Sequence, residues 1–383
     1  MFNNLLAKSY RVVAPASIAL FLAAWLIIEF DLLSPPPPPY PPSQLIKEIT
    51  YDWNSHIRKA RGSDNWPVTW ADDNHQYSSW GDGGGFGGGN EVGRVSLGVA
   101  RIEGGRDRYQ GKNIWGGLNT ENVARFEGKS YGIISVDGVL YMWVSPGSGV
   151  MGYEEARLYR SYDRGASWAA SDWAFEKTDR LINPAFLQFG KDYDGALDDY
   201  VYSYASHLNG DDPLNLTILA PGEIALMRVP RSAIFEQDQY EYFNGFSVDG
   251  DALWSSELRD RMPVFRDKNG VGWNVSVSYN KGLGRYLLMT EHSESLAGRI
   301  GIYEAPSPWG PWSTIYYGIF GSGDVEQSAF YYNFSNKWLS GDGRNFVMIF
   351  TGIGENDSWN SVAGEFELFE NAESEMLSPS LIN

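Results

Sequence analysis

Asp64 and Asp82 flank a short tryptophan-rich segment, and two carboxylates facing one cleft are the equipment of glycoside hydrolysis. One protonates the leaving oxygen; the other activates water or attacks the sugar directly. The acid of such a pair needs a raised pKa. Trp66, Trp70 and Trp80 would supply a low-dielectric wall for it and flat faces for sugar rings. Asp64 and Asp82 are therefore the candidate catalytic residues, with Trp66 and Trp80 as candidate substrate-binding residues.

These positions gain meaning from the elements that carry them. A hairpin of two half-apolar runs recurs five times: PVTWADDNHQYSSWGDG from Pro67, SYGIISVDGVLYMWVS from Ser130, NPAFLQFGKDY from Asn183 with DYVYSYASH ending at His207, WNVSVSYNKGLGRYLLMTEH from Trp273, and FSNKWLSGDGRNFVMIFTG from Phe334. Such repeats predict an all-β, five-bladed β-propeller, in which each unit buries one face on the next. The start of a unit's first strand and the end of its second then share one face of the ring. That rule selects Asn183 and His207, Asn274, Glu291 and His292, and Asn333, Ser335 and Lys337, while the second unit offers Arg125 and Ser145. Asn183, His207, Asn274, Glu291, His292 and Lys337 join Trp66 and Trp80 as expected substrate-binding residues. Asp72, Asp73, Asp137 and Asp342 fall in hairpin turns on the opposite face, where Asp and Gly shape the turn.

Conspicuous motifs elsewhere read as structural. SYDRGASW, from Ser161 to Trp168, matches the Asp-box pattern S-x-D-x-G-x-x-W, whose Asp accepts turn hydrogen bonds and whose Trp packs between strands. APSPWGPW from Ala305 occupies the same slot of the fourth unit, and MRVPRSAIFEQDQYEYF fills it in the third with a short helical turn. The run GDGGGFGGGN from Gly81 lacks the G-K-[ST] ending of a phosphate loop, so its glycines are expected to lay backbone close to a bound sugar. His56, His75, His207 and His292 show no metal-ligand spacing, and the acidic loop KDYDGALDDY does not have the spacing of an EF-hand. No metal and no cofactor is expected.

Length and charge bound the rest. The chain of 383 residues accommodates one large all-β domain, and 15% aromatics with 43 glycines suits many short strands joined by tight turns. A net charge of -18 excludes nucleic acid as a natural partner. Residues 12–30 form an apolar run, uncharged until Glu29 closes it, with Lys8 and Arg11 before it and Asp31 after, which predicts a membrane anchor with its N-terminus inside and the remaining chain exported. Signal cleavage and secretion is the alternative, but LIIEFDLL offers no small-x-small site. SPPPPPYPPS from Ser34 should extend as a stiff spacer, and the absence of cysteine leaves no disulfides. The expected organisation is a cytoplasmic segment 1–11, a transmembrane anchor 12–33, a Pro-rich linker 34–44, the propeller 45–372 and a tail 373–383, with the propeller on the extracytoplasmic side.

The segments SDNWPVTWADDN, YSSWGDGGGF, LMRVPRSAIFEQDQYEYF, VSVSYNKGLGRYLL, IYEAPSPWGPW and NKWLSGDGRNFVMIF resemble a bacterial propeller family related to endo-D-arabinanases, over residues 45 to 370. The resemblance implies a five-bladed propeller that cleaves arabinofuranosyl linkages of cell-envelope or extracellular glycans with acidic residues in its central cleft; Asp64 and Asp82 are the matching positions. The expected partner is a polysaccharide or other glycan. Two alternatives stay open on the sequence. One is a polysaccharide lyase, with His207 and Tyr204 or Tyr279 as base and acid and Lys337 or Arg125 neutralising a uronate. The other is a non-catalytic glycan-binding propeller.

Overall fold

A computed structural model describes residues 36–119, 121–146, 154–208, 218–321, 329–352 and 357–370. The expected membrane anchor and the C-terminal tail lie outside the described residues, among which no helix is long and apolar enough to cross a membrane. Among the described residues the fold is all-β, as the periodicity predicts, with only short 3-10 turns between strands.

The strands fall into successive antiparallel meanders. After β1 (Ile46–Lys59), the first contains β2 (Val68–Trp70), β3 (Gln76–Gly81), β4 (Leu97–Gly105) and β5 (Arg108–Trp115). The second contains β6 (Gly128–Val136), β7 (Val139–Pro146), β8 (Glu155–Ser161) and β9 (Ala169–Glu176). The third runs through β10 (Leu181–Gln188), β11 (Tyr200–His207), β12 (Gly222–Pro230), β13 (Glu241–Phe246) and β14 (Ala252–Ser255), with β15 (Pro263–Asp267) also paired to β12. The fourth comprises β16 (Val275–Asn280), β17 (Arg285–Glu291), β18 (Arg299–Ala305) and β19 (Ser313–Ile319). The last comprises β20 (Phe330–Phe334), β21 (Asn345–Gly352) and β22 (Ser358–Leu368), and β1 returns to complete it beside β22. A short parallel pairing, Leu187 with Val277 and Gln188 with Ser278, joins the innermost strands of the third and fourth meanders.

Apolar layers lock each meander to the next. Val99, Leu97 and Tyr77 pack on Ile133, Met142 and Val144 between the first and second, and a large layer containing Trp143, Phe186, Tyr204 and Val277 runs from the second through the fourth. Leu287, Met289 and Ile302 meet Phe346, Met348 and Phe350 between the fourth and last. Trp359, Ile349 and Val347 then meet Trp66, Trp80 and Ile102, which brings the last meander back to the first. Inner strands sandwiched between meanders are buried on both faces: every residue of β3 is buried, whereas the outer strand β5 alternates.

The first four expected hairpins coincide with β2–β3, β6–β7, β10–β11 and β16–β17. The last is displaced. Its first strand is the fully buried FYYNF, and Ser335 then ends it, its hydroxyl accepting from Trp338 N (3.2 Å) to form a 3-10 turn at Asn336–Trp338. Ser335 and Lys337 therefore sit in the turn at the far end of the strand. The Ser161–Trp168 segment is a turn between β8 and β9: Asp163 Oδ1 accepts from Ser161 Oγ and Ser167 N (2.8 Å each), and Trp168 Nε1 donates to Gly165 O (3.0 Å).

The end of the Pro-rich segment is no free spacer. Pro42 bridges to Thr314, the Tyr40 hydroxyl accepts from Arg266 N (2.8 Å), and the Tyr40 ring lies 5.1 Å from Phe265 and 6.0 Å from Tyr303. An aromatic side chain among the prolines supplies the apolar area that docks this stretch.

Candidate active site

Antiparallel pairing places the entry to β2 and the exit of β3 together. Asp64 N donates to Gly81 O (2.8 Å) and Gly81 N to Asp64 O (2.7 Å), so the two chains are zipped where the strands begin and end. Asp82 follows immediately in a left-handed conformation (φ 54°). The absence of a side chain at Gly81 is what admits the acid: a Cβ there would lie 2.6 Å from Asp64 Oδ1 and 3.2 Å from Lys129 Cδ.

The two aspartates have different surroundings. Asp64 keeps partial exposure as a residue, yet desolvation of its carboxyl pushes the pKa up to about 8; Lys129 and Arg94 oppose the rise, while Asp82 and Asp357 add to it. Its Oδ1 accepts from Asn65 Nδ2 (2.8 Å). Asp82 instead holds two cations: Lys129 Nζ donates to Oδ1, and Arg94 Nη2 stands 3.2 Å from Oδ2. A protonated acid beside a charge-paired carboxylate is the division that acid/base cleavage requires. Asp82, Arg94, Ser96, Arg125, Phe126 and Glu127 line an adjoining cavity of about 530 Å³.

Buried aromatics back this acidic pair. Tyr131 lies near enough to Asp64 and Asp82 that both raise its pKa, after desolvation, and its carbonyl accepts from the Tyr331 hydroxyl (2.5 Å). The Trp273 ring meets Tyr131 edge-on at 5.0 Å, and Asn183 Nδ2 donates to Trp273 O (2.8 Å). Asn183 thus positions Trp273 and spends its amide on that contact. Asn65 Oδ1, Trp273 Nε1 and Asn274 Nδ2 are buried without a hydrogen-bond partner among the described residues. Unsatisfied buried polar atoms are uncommon, and these three are enclosed by the protein, with no surface open to a ligand.

Several expected binding residues do other work. Trp66 and Trp80 have 0% exposure and pack at 5.8 Å from each other, with Trp66 also 5.5 Å from Trp359; they are the seam between the first and last meanders and not sugar platforms. The Gly-rich run serves the same seam, since a Cβ on Gly85 would lie 2.6 Å from the Trp80 ring, and Gly85 N is held by Ser63 Oγ (3.0 Å). Glu291 is fully buried with its pKa pushed up to about 8 by desolvation, and its Oε1 accepts from Leu296 N (2.9 Å), tying down the following loop. His292 stacks on Tyr317 at 3.6 Å, and desolvation, aided by Arg299, lowers its pKa to about 4. Lys337 donates to Asn74 O (2.6 Å) in a hairpin turn on the opposite face.

The lyase constellation is dispersed. His207 Nδ1 is 3.2 Å from Glu223 Oε2 and its Nε2 3.4 Å from Arg261, an outer network in which desolvation lowers the His207 pKa. The Tyr204 hydroxyl is buried and donates to Pro308 O (2.7 Å). Tyr279 and Lys337 belong to the opposite face.

Lys129, Tyr131 and Asp357 escape the strand-end rule as applied to the sequence. β6 begins at Gly128, so Lys129 occupies the selected position, but a strand start read at Ser130 passes it by. Asp357 precedes β22, a third strand, which also begins on this face.

A family model described as a domain of unknown function, DUF4185, matches residues 131–338. No curated protein matches the chain. Among solved structures, the GH43_1 enzyme from Xanthomonas citri complexed with xylose is 12% identical, with 85% of this chain and 97% of that chain covered and a TM-score of 0.48. The alpha-L-arabinofuranosidase PaAbf62A from Podospora anserina in complex with cellotriose is 11% identical over 85% of this chain and 98% of that one, with a TM-score of 0.45. A family 117 glycoside hydrolase produced by the marine bacterium Zobellia galactanivorans is 10% identical over 84% and 90%, with a TM-score of 0.42.

Proposed function

This chain belongs to the DUF4185 family, a domain of unknown function, and we propose that it is a glycoside hydrolase built as a five-bladed β-propeller, with Asp64 as general acid and Asp82 as base or nucleophile. The observation that carries the reading is the contrast between two converging carboxyls: desolvation pushes the Asp64 pKa up to about 8, while Lys129 and Arg94 flank Asp82. The closed succession of apolar layers supports the blade assignment, with β1 beside β22 completing the last blade.

In the proposed reaction Asp64 gives its proton to the departing sugar oxygen as the glycosidic bond breaks, and Asp82 either deprotonates the attacking water or bonds to the anomeric carbon. The sequence resemblance to relatives of endo-D-arabinanases supports an arabinofuranosyl polymer of the cell envelope or extracellular matrix as substrate. The apolar run at residues 12–30 supports export with retention at the membrane.

Incubation with arabinan, arabinogalactan and a uronate polymer separates the classes of function. A hydrolase releases new reducing ends that vanish in Asp64→Asn and Asp82→Asn. An unsaturated uronate product, or reducing-end release unchanged in both variants, would sink the assignment.

A further inference from the structure

The opposite face of the ring carries a cavity that the catalytic reading does not use. It has a volume of about 310 Å³ and is lined by Trp70, Phe189, Tyr279 and Leu339, with Lys191 and Lys281 at its walls. Its aromatic floor is fixed from within. Trp70 Nε1 donates to Asn74 Oδ1 (3.1 Å), Phe189 and Tyr279 pack at 5.2 Å, and Asn336 Nδ2 donates to Tyr279 O (3.3 Å). Trp70 and Tyr279 remain partly exposed. The rim is open backbone: a Cβ on Gly190 or Gly341 would meet nothing within 4 Å.

Its charge runs against the rest of the molecule. In a chain of net charge -18, Lys47, Lys112, Lys129 and Lys177 are each paired with a carboxylate. Among the described residues Lys191 and Lys281 have no such partner; Lys59, Lys268 and Lys337 also lack one, but only Lys191 and Lys281 line this cavity. The one lining carboxylate, Asp194, is 76% exposed and stands 3.9 Å from Arg231. Lys337, behind the wall, is close enough to Lys191 that the two repel.

We propose that this cavity is a second saccharide site, specific for an acidic sugar unit whose ring lies on Trp70 and Tyr279 and whose anionic group is held by Lys191 and Lys281. An aromatic face beside a cation meets the needs of such a sugar, apolar C–H on one side and charge on the other, and a neutral sugar would leave both lysines without a counter-charge. A chain gripped here is held on the face away from Asp64 and Asp82. The inference does not rest on the hydrolase reading.

Titration calorimetry of the full chain with trigalacturonate, galactotriose and inorganic phosphate tests it. Trigalacturonate should bind saturably, and Lys191→Ala with Lys281→Ala should weaken it about tenfold or more. Asp64→Asn and Asp82→Asn should leave that binding unchanged. Both lysines are surface residues, so a circular-dichroism spectrum identical to that of the parent accompanies the result. Undiminished binding in the double variant, equal binding of galactotriose, binding lost in Asp82→Asn, or phosphate binding as tightly as trigalacturonate would each overturn the proposal.

Discussion

Lys129, from the second meander, donates to Asp82 Oδ1 of the first, and the same cation holds down the pKa of Asp64. One side chain thus joins two meanders and couples both carboxylates. Lys129→Met should lower kcat by about 100-fold or more, in the range of lost electrostatic stabilisation. Because Lys129 lowers the Asp64 pKa, its removal should also shift the alkaline limb of the kcat/KM profile to higher pH. An alkaline limb that stays in place would show that Asp64 does not set it.

Asp357 acts on Asp64 with the opposite sign. It adds to the raised pKa, so Asp357→Asn should move the alkaline limb to lower pH, with kcat below the limb nearly unchanged. The pH profiles of the two variants, measured on one substrate, should diverge in opposite directions from the parent.

Stability should register the buried acids as well. Asp64 and Glu291 have folded pKa values of about 8, above the unfolded carboxylate range. Their contribution is fully present below the unfolded value and is lost as pH rises through 8. The Tm should therefore fall from about pH 4 to about pH 8 and level off above it. Asp64→Asn should remove part of that fall, raising Tm at pH 9 by about 2 °C or more while activity drops about 1000-fold. Differential scanning calorimetry across that range checks the sign.

Gly81→Ala should act on the acid without touching its chemistry. The added methyl meets Asp64 Oδ1 at 2.6 Å, so the carboxyl or Lys129 must move, and misplacement on that scale costs about 100-fold in rate. The variant should keep its cooperative unfolding. Retention of full activity would place the proton donor elsewhere.

The hairpin repeat was legible because alternation and turn residues are local signals, and with it the convergence of Asp64 and Asp82, which depends only on where β2 begins and β3 ends. Trp66 and Trp80 were misleading for a physical reason. A tryptophan beside an acid reads alike whether its ring faces a ligand or a neighbouring meander, and the packing on Trp359 that decides it arises nearly three hundred residues away. Lys337 was misplaced because Ser335 ends β20 through a side-chain cap that hydrophobic periodicity does not register. The docking of Tyr40 on Phe265 was equally hidden, since a proline run gives no hint of the surface that receives it.

β1 pairs with β22 from Ile46↔Leu368 to Lys59↔Trp359, so the strand made first in the domain is matched by the strand made last. During synthesis at roughly 5–20 residues per second, β1 waits about 15 to 60 s for its partner. Throughout that interval both of its edges are bare, and the seam around Trp66 and Trp359 does not exist. Folding of this chain is in that respect an act of completion: the Trp66–Trp359 contact forms only when β22 arrives, and Asp357, which adds to the raised pKa of Asp64, comes with it.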